Sequence, residues 1–430
     1  MVIVFALLAL AVLVTANWYL WRRLFRDTTG GPGRVRRAGA VLIGGGWVLA
    51  IAALVAERTG APFWLQRVLA WPGFLWLALS IYLLLAVVAG EVVRPLLRRL
   101  LERRDRRGEP AVAAAPHPER VPAGASAEKP REAAGAPAEP GAGEPQEPGP
   151  PALVAAPSRR LFVSRVVAGA AAAAAVGTVG LGTYGVLRGP GVKRVTVPLA
   201  KLPRAAHGYR IAVVSDIHLS PVLGRGFAQK VVDTINSTRP DLIAVVGDLV
   251  DGSVKDLGPA AAPLARLEAR HGSFFVTGNH EYFSGAEQWV EEVRRLGLRP
   301  LENDRTELAW FDLAGVNDIA GESEGQGPDF AKALGDRDTA RACVLLAHQP
   351  VQIHDAVDHG VDLQLSGHTH GGQLWPGNLL AKAANPTVAG LERYGDTQLY
   401  VSRGAGAWGP PTRVGAPSDI TVIELASEQA

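Results

Sequence analysis

The chain has 430 residues, is 48% hydrophobic and contains one cysteine. Since Cys343 has no partner within the chain, a disulfide scaffold and a zinc site built from several thiolates are excluded. Residues 1–189 are basic, with 22 Lys and Arg against 12 Asp and Glu, and residues 190–430 are acidic, with 22 Lys and Arg against 29 Asp and Glu. The net charge of +3 is the sum of these two segments. An acidic segment repels phosphate backbones, which argues against a nucleic-acid partner.

Three apolar runs open the chain. Residues 2–20 contain no charged side chain, and residues 39–56 and 68–90 are similarly apolar. About 20 such residues cross a hydrocarbon core of roughly 30 Å as a helix. The alternative for each run is a buried helix of a soluble core. The basic residues beside the runs favour the membrane, so residues 1–107 are predicted to form three transmembrane helices with the lipid bilayer as partner.

The arginines predict the orientation of these helices. They cluster in the first connection and after the third run, at Arg22, Arg23, Arg26, Arg34, Arg36 and Arg37, and at Arg94, Arg98, Arg99, Arg103, Arg104, Arg106 and Arg107. Cytoplasmic connections carry an excess of Lys and Arg. Both clusters are therefore predicted to lie in the cytoplasm, and a multi-pass protein of the cytoplasmic (inner) membrane is expected.

Residues 108–157 contain twelve prolines and no Phe, Trp or Tyr. Such a segment cannot bury enough apolar surface to offset the entropy of ordering it, so a disordered linker is predicted. In residues 158–189, Arg159 and Arg160 precede a mildly apolar run from Val166 to Leu187. This resembles a twin-arginine export signal, which implies the twin-arginine export machinery as a partner; the alternative is a fourth transmembrane helix. Either interpretation places residues 190–430 on the outer face of the membrane.

Short apolar runs in residues 190–430 end repeatedly at polar side chains, in the segments 211–218, 242–251, 273–281, 343–350 and 363–373. Residues 225–238 separate the first two runs and are typical of a helix. Strand, helix and strand in this order predict an α/β fold. In such folds the residues just after the strands form sites at the carboxyl edge of a sheet.

The residues at these strand ends offer seven oxygen and imidazole ligands: Asp216, His218, Asp248, Asn279, His348, His368 and His370. Mixed oxygen and nitrogen donors suit Mn, Fe, Zn, Co or Ni better than calcium, which prefers oxygen alone. Seven ligands exceed the needs of one tetrahedral ion. They suit two divalent ions that share a carboxylate and together promote a phosphoryl displacement.

The motifs D-x-H, G-D-x-x-D, G-N-H-E, a lone His348 and G-H-T-H occur in that order. Over about 210–425 the sequence resembles the calcineurin-like metallophosphoesterases. Gly-Gly-Gln after the last histidine pair and the strip 395–417 resemble the membrane-anchored bacterial phosphodiesterase branch. The resemblance implies a four-layer αββα sandwich, preceded here by the all-α transmembrane region.

The same resemblance implies a role for each motif residue. Asp216, His218 and His370 would bind one ion, Asn279, His348 and His368 the other, and Asp248 would bridge them. His280 would act as general acid during an inline attack by a metal-bridging hydroxide. Asp251 and Glu281 would orient neighbouring groups.

Two further pairs of residues are less specific. Arg403 and Arg413 either hold a substrate phosphate or belong to an ordinary surface loop. Trp375 and Trp408 either line an apolar wall for a lipid or lie in the core, and the frequent burial of tryptophan favours the core.

The sequence thus predicts a membrane-anchored, metal-dependent phosphoesterase that hydrolyses a phosphodiester or a pyrophosphate. Its substrate would be a phosphorylated small molecule or lipid, including an envelope precursor. The alternatives are a phosphomonoesterase and a non-enzymatic membrane sensor or scaffold with a metal-stabilised outer domain. A placed acid at His280 argues against the sensor, because binding alone needs no acid.

Overall fold

The computed structural model describes residues 2–108 and 159–429. Its first part is helical, with α1 (Val2–Trp21), a π-helical turn (Arg22–Arg26), α2 (Arg34–Arg58), α3 (Phe63–Gly108) and α4 (Arg159–Leu187). The predicted disordered linker at 108–157 lies, apart from its first residue, outside the described residues.

The helices contain the apolar runs predicted from the sequence. Among the described residues, three helical segments are long and apolar enough to cross a membrane: Arg34–Arg58, Phe63–Arg103 and Arg159–Leu187. Ala78, Tyr82 and Val87 of α3 share one buried apolar cluster with Ala171 and Ala175 of α4. α4, predicted as a signal or a fourth span, therefore packs against α3 in the helical bundle.

Charged side chains mark one end of this bundle. Arg23 lies 2.9 Å from Asp27 and 2.8 Å from Glu91 of α3. Arg94, one turn further along α3, lies 3.0 Å from the same Glu91. The charged part of α3 and the turn after α1 therefore lie at the same height along the bundle axis, and this height marks one end of the apolar part of the bundle.

The second part contains twelve strands in two sheets. The strands are β1 (Gly191–Leu199), β2 (Tyr209–Val214), β3 (Leu242–Val246), β4 (Ser273–Val276), β5 (Arg299–Pro300), β6 (Asp304–Glu307), β7 (Phe311–Gly315), β8 (Ala342–Leu346), β9 (Leu363–Ser366), β10 (Gly390–Tyr394), β11 (Thr397–Val401) and β12 (Asp419–Ser427). The first sheet has the order β1-β12-β2-β3-β4-β5, and the second has the order β10-β11-β9-β8-β7-β6.

Helices cover the outer face of each sheet. The α-helices described in this part are α5 (Arg225–Ser237), α6 (Val254–Ala261), α7 (Asn279–Ser284), α8 (Ala286–Arg295), α9 (Phe330–Leu334), α10 (Ile353–Asp358) and α11 (Gly377–Ala384). α5, α6 and α8 share a buried cluster with the first sheet, and α9 and α10 share one with the second. A third cluster fills the space between the sheets. These layers confirm the predicted four-layer αββα sandwich and the predicted helix at 225–238.

The topology brings the motifs to one edge. β2, β3 and β4 are mutually parallel in the first sheet, and β7, β8 and β9 are mutually parallel in the second. Each of β2, β3, β4, β8 and β9 ends just before one of the motifs. Because parallel strands present their carboxyl ends at the same edge, the five polar loops converge there.

Candidate metal centre

The backbone of the site is held in an unusual conformation. Asp216, His218, Asp248, His368 and His370 all have φ between 47° and 71°. Left-handed backbone is costly for residues other than glycine and is concentrated at functional sites. The surrounding sandwich therefore holds these five side chains in directions that an ordinary loop would not adopt.

One group of side chains consists of Asp216, His218 and His370, which are all buried. The Nε2 atoms of His218 and His370 lie 3.0 Å apart, and His370 Nε2 lies 3.4 Å from Asp216 Oδ1. Their potential ligand atoms all lie within 4.8 Å of one another. A single cation can therefore contact all three side chains.

A second group consists of Asp248, His348 and His368. His348 Nδ1 lies 2.8 Å from the carbonyl oxygen of Val246 and donates to it. His348 Nε2 is then left 3.1 Å from Asp248 Oδ2, without a hydrogen-bond partner among the described residues. Buried polar atoms are rarely unpaired, and a histidine whose other nitrogen donates to a carbonyl is oriented to bind a metal. The donor set fits a divalent cation.

Asp248 lies between the two groups. Its Oδ2 is 3.1 Å from His348 Nε2 and 3.7 Å from His218 Nε2. Asn279 joins the second group, because its Oδ1 lies 3.0 Å from His368 Nδ1. The two groups therefore meet at one carboxylate and form two adjacent candidate sites for cations.

Burial keeps two of the histidines neutral. It is the main cause that lowers the pKa of His368 to about 4 and the pKa of His370 well below its usual value. The neighbouring His348 and His218, respectively, add to this lowering. A neutral imidazole is the form that binds metal ions.

His280 lies at the mouth of the site and is held by Asp251. Its Nδ1 lies 2.8 Å from Asp251 Oδ1, and the same oxygen lies 2.7 Å from His218 Nδ1. Burial lowers the pKa of His280, but the hydrogen bond and charge of Asp251 outweigh burial and raise it to about 9. His280 is thus protonated near neutral pH, as a proton donor must be.

Glu281 joins two of the motif loops. Its carboxylate accepts hydrogen bonds from the backbone N–H groups of Asp248 at 3.0 Å, Leu249 at 2.8 Å and Gly278 at 2.6 Å. A side chain at Gly278 would collide with the Asp248 carboxylate, so the loops approach this closely only with glycine there. The arrangement fixes Asp248 relative to Asn279.

The two arginines of the predicted pair have different surroundings. Arg413 is buried and donates to the carbonyl oxygens of Gly406 at 2.6 Å, Ala416 at 3.2 Å and His370 at 3.0 Å. Its Nη2 lies 3.0 Å from His370 Nδ1, and burial lowers its pKa to about 10. Arg403 is half-buried, and its guanidinium makes no hydrogen bond or ion pair within residues 2–108 and 159–429.

Two aromatic rings lie beside His280: that of Trp408, which was singled out in the sequence, and that of Phe283, which carried no signal there. The rings of Phe283 and Trp408 lie 5.5 Å and 5.7 Å from the His280 ring. Gln373 Nε2 donates to the carbonyl oxygen of Trp408 at 2.9 Å. Trp408 and Trp375 are 48% and 53% exposed, so the prediction that both lie in the core is wrong.

Comparison with known proteins gives one family. A model of the calcineurin-like phosphoesterases matches residues 209–372. A transmembrane protein with metallophosphoesterase domain from Danio rerio is 40% identical over 263 residues, which cover 57% of this chain and 60% of that protein. An uncharacterized metallophosphoesterase of Aquifex aeolicus (strain VF5) is 34% identical over 239 residues, 54% of this chain and 91% of the relative.

Among solved structures, a phosphopantetheinyl hydrolase from Mycobacterium tuberculosis aligns with a TM-score of 0.29 and 13% identity. The alignment covers 45% of this chain and 89% of that one. The match to the Danio rerio protein leaves more than a third of that relative's length unmatched.

Proposed function

The chain belongs to the calcineurin-like metallophosphoesterase family, and we propose that it is a metal-dependent, membrane-anchored phosphodiesterase or pyrophosphatase with two divalent ions. The position of Asp248 Oδ2 between the two ligand groups carries this proposal. The ligand sets are Asp216, His218 and His370 for one ion and Asn279, His348 and His368 for the other, with Asp248 shared. Mn, Fe, Zn, Co and Ni all suit such donors.

The cations would polarise the phosphoryl group and lower the pKa of an attacking water. The side chains supply the remaining chemistry. His280 donates a proton to the leaving oxygen during an inline displacement, and Asp251 keeps His280 protonated and oriented. Glu281 holds the backbone of the Asp248 loop.

Arg403 and Arg413 have different roles in this proposal. Arg403 packs against Gly371, directly after His370, and its guanidinium is available to bind a non-bridging phosphate oxygen. Arg413 donates to three backbone carbonyl oxygens and faces His370 Nδ1, so we assign it to positioning His370.

The proposed location is a bacterial cytoplasmic membrane, with the catalytic domain on its outer face. Three candidate spans and the transmembrane relative support a membrane location, and the arginine clusters support the orientation. α4 is either a retained helix or a twin-arginine signal. Replacing Arg159 and Arg160 with lysine should block exposure of the domain to an external protease if the export machinery is used.

The proposed substrate is a phosphodiester or pyrophosphate that carries a lipid or is linked to an envelope precursor. Two observations support an amphiphile: Trp408 is half exposed beside His280, and Arg58 of α2 lies 5.8 Å from the Phe283 ring. The mouth of the site therefore adjoins the helical bundle.

The test uses the purified full-length protein in detergent. A chelator removes bound metal, and Mn, Fe(II), Zn, Co and Ni are then added back separately before hydrolysis of an aryl phosphodiester and an aryl phosphomonoester is measured. We expect activity to vanish on chelation and to return with at least one metal, with the diester preferred. Faster hydrolysis of the monoester would identify a phosphomonoesterase, and full activity after chelation would contradict the metal mechanism.

A further inference from the structure

A short apolar segment follows the last histidine pair of the site. It begins at Trp375 and continues through α11, in which no residue is buried. Trp375 is 53% exposed, Leu379 64% and Leu380 77%. Exposed apolar side chains that cluster within a few residues mark a surface that is covered by another molecule or by lipid. We call residues 375–384 the apolar rim.

The rim is attached to the helical bundle at its first residue. The hydroxyl of Tyr82 in α3 donates to the carbonyl oxygen of Trp375 at 3.0 Å. Leu374 and Val414 pack against the buried cluster that α3 and α4 share. Thr412 Oγ1 lies 2.7 Å from Thr183 Oγ1, and a Cβ at Gly182 would lie 2.7 Å from the carbonyl oxygen of Arg413.

These contacts lie within the apolar length of the helices. Tyr82 lies nine residues before Glu91 and fifteen residues after Arg67, the two charged residues that flank its apolar run. At a rise of 1.5 Å per residue, these separations correspond to about 14 Å and about 22 Å along the helix. Thr183 precedes Arg188 by five residues, or about 8 Å. A hydrocarbon core of about 30 Å around α3 and α4 therefore reaches the level of Trp375.

We infer that the apolar rim inserts into the bilayer that surrounds α3 and α4. Leu379 and Leu380 then face acyl chains instead of water, which is favourable in proportion to their exposed apolar area. Lys382 on the same helix can extend its ammonium group to the headgroups while its stem stays apolar. The bilayer is the occupant because the rim continues directly from the contacts with the candidate spans.

Insertion would bring the membrane to the mouth of the site. Gln373 lies between the site and the rim and exchanges two hydrogen bonds with Trp408, at 2.9 Å and 3.0 Å, and Trp408 contacts His280. The inference concerns the surface alone and does not require hydrolysis. It rests on the proposed membrane location, which the test below examines separately.

The test attaches an environment-sensitive thiol-reactive fluorophore to Leu380→Cys in the full-length protein, reconstituted in phosphatidylcholine vesicles with or without brominated acyl chains. We expect emission to fall about twofold in brominated vesicles, because the label lies among acyl chains. Native Cys343 does not interfere, since it is fully buried and burial raises the pKa of its thiol to about 12.

Two labelled positions serve as controls. Leu181→Cys lies on the exposed side of α4 and should be quenched if the helices span, whereas Val357→Cys in α10, before β9 and away from the motif edge, should not. Quenching at 181 without quenching at 380 would overturn the inference and leave the membrane location intact. Absence of quenching at both positions would overturn both. A thiol crosslink between two copies through position 380 would make the rim a self-association surface and would also overturn the inference.

Discussion

The floor of the candidate site and the apolar rim beside it differ in burial and in polarity. The floor, with Asp216, His218, Asp248, His348 and His370, is buried, and its histidine rings are held from behind by Asp251, the Val246 carbonyl or Arg413. The rim is exposed and apolar and is attached mainly at Trp375. The comparison teaches that the chemistry is determined within the sandwich, whereas access to it depends on what surrounds the helices.

The floor should be most sensitive at its shared carboxylate. Asp248→Asn keeps the shape but removes the charge between the two ligand groups, so hydrolysis of an aryl phosphodiester should fall by about 10³-fold or more. Bound metal per chain, measured after desalting, should fall as well. Wild-type turnover in this variant would show that the shared position of Asp248 has no role in the reaction.

A variant of His280 distinguishes proton donation from metal binding. His280→Ala should lower turnover by about 10²- to 10⁴-fold while the metal content stays unchanged. The loss should be larger for a diester with a poor alkyl leaving group than for one with an activated aryl group, which leaves without protonation. An equal loss for both substrates, or a loss of metal, would count against the role of acid.

Much of the floor was predicted from the sequence because its signals are local. Each side chain of the floor follows a short buried strand within a few residues, and the predicted strands and α5 are present. The left-handed backbone at five of these positions had no such signal, since it results from the packing of two sheets. Arg413 contacts His370 across 43 residues, so its position also depends on the complete fold.

The rim was not predicted, and the reason is physical. Tryptophan is usually buried because burial removes a large apolar area from water. That expectation fails at Trp375, where the proposed contact with the bilayer would take the place of a core. From the sequence alone, eight residues with two leucines and a lysine in α11 do not distinguish a soluble surface helix from an inserted one.

Variants of Arg403 and Arg413, which lie in the C-terminal strip 395–417, test whether this strip supports the floor or binds the substrate. Arg413→Ala leaves buried carbonyl oxygens at Gly406 and Ala416 without a donor, so it should lower the free energy of unfolding by about 1–3 kcal/mol. Arg403→Ala should leave the thermal unfolding temperature unchanged and raise KM for the diester. The pair is matched in chemistry and differs in burial. An unchanged melting temperature in Arg413→Ala, with a raised KM, would return Arg413 to the role of phosphate ligand.

The smallest effect is expected at the rim, because its residues touch no reacting group. Leu379→Glu combined with Leu380→Glu should leave hydrolysis of a soluble aryl diester unchanged. The same variant should hydrolyse a phosphodiester-linked lipid in vesicles about fivefold more slowly, because carboxylates oppose insertion at this depth. Val357→Glu, an exposed apolar residue of α10, is the control and should change neither rate. Equal rates on the vesicle substrate for wild type and the double variant would mean that access to the floor is independent of the rim. The floor and the rim would then differ in burial, but the rim would have no role in substrate access.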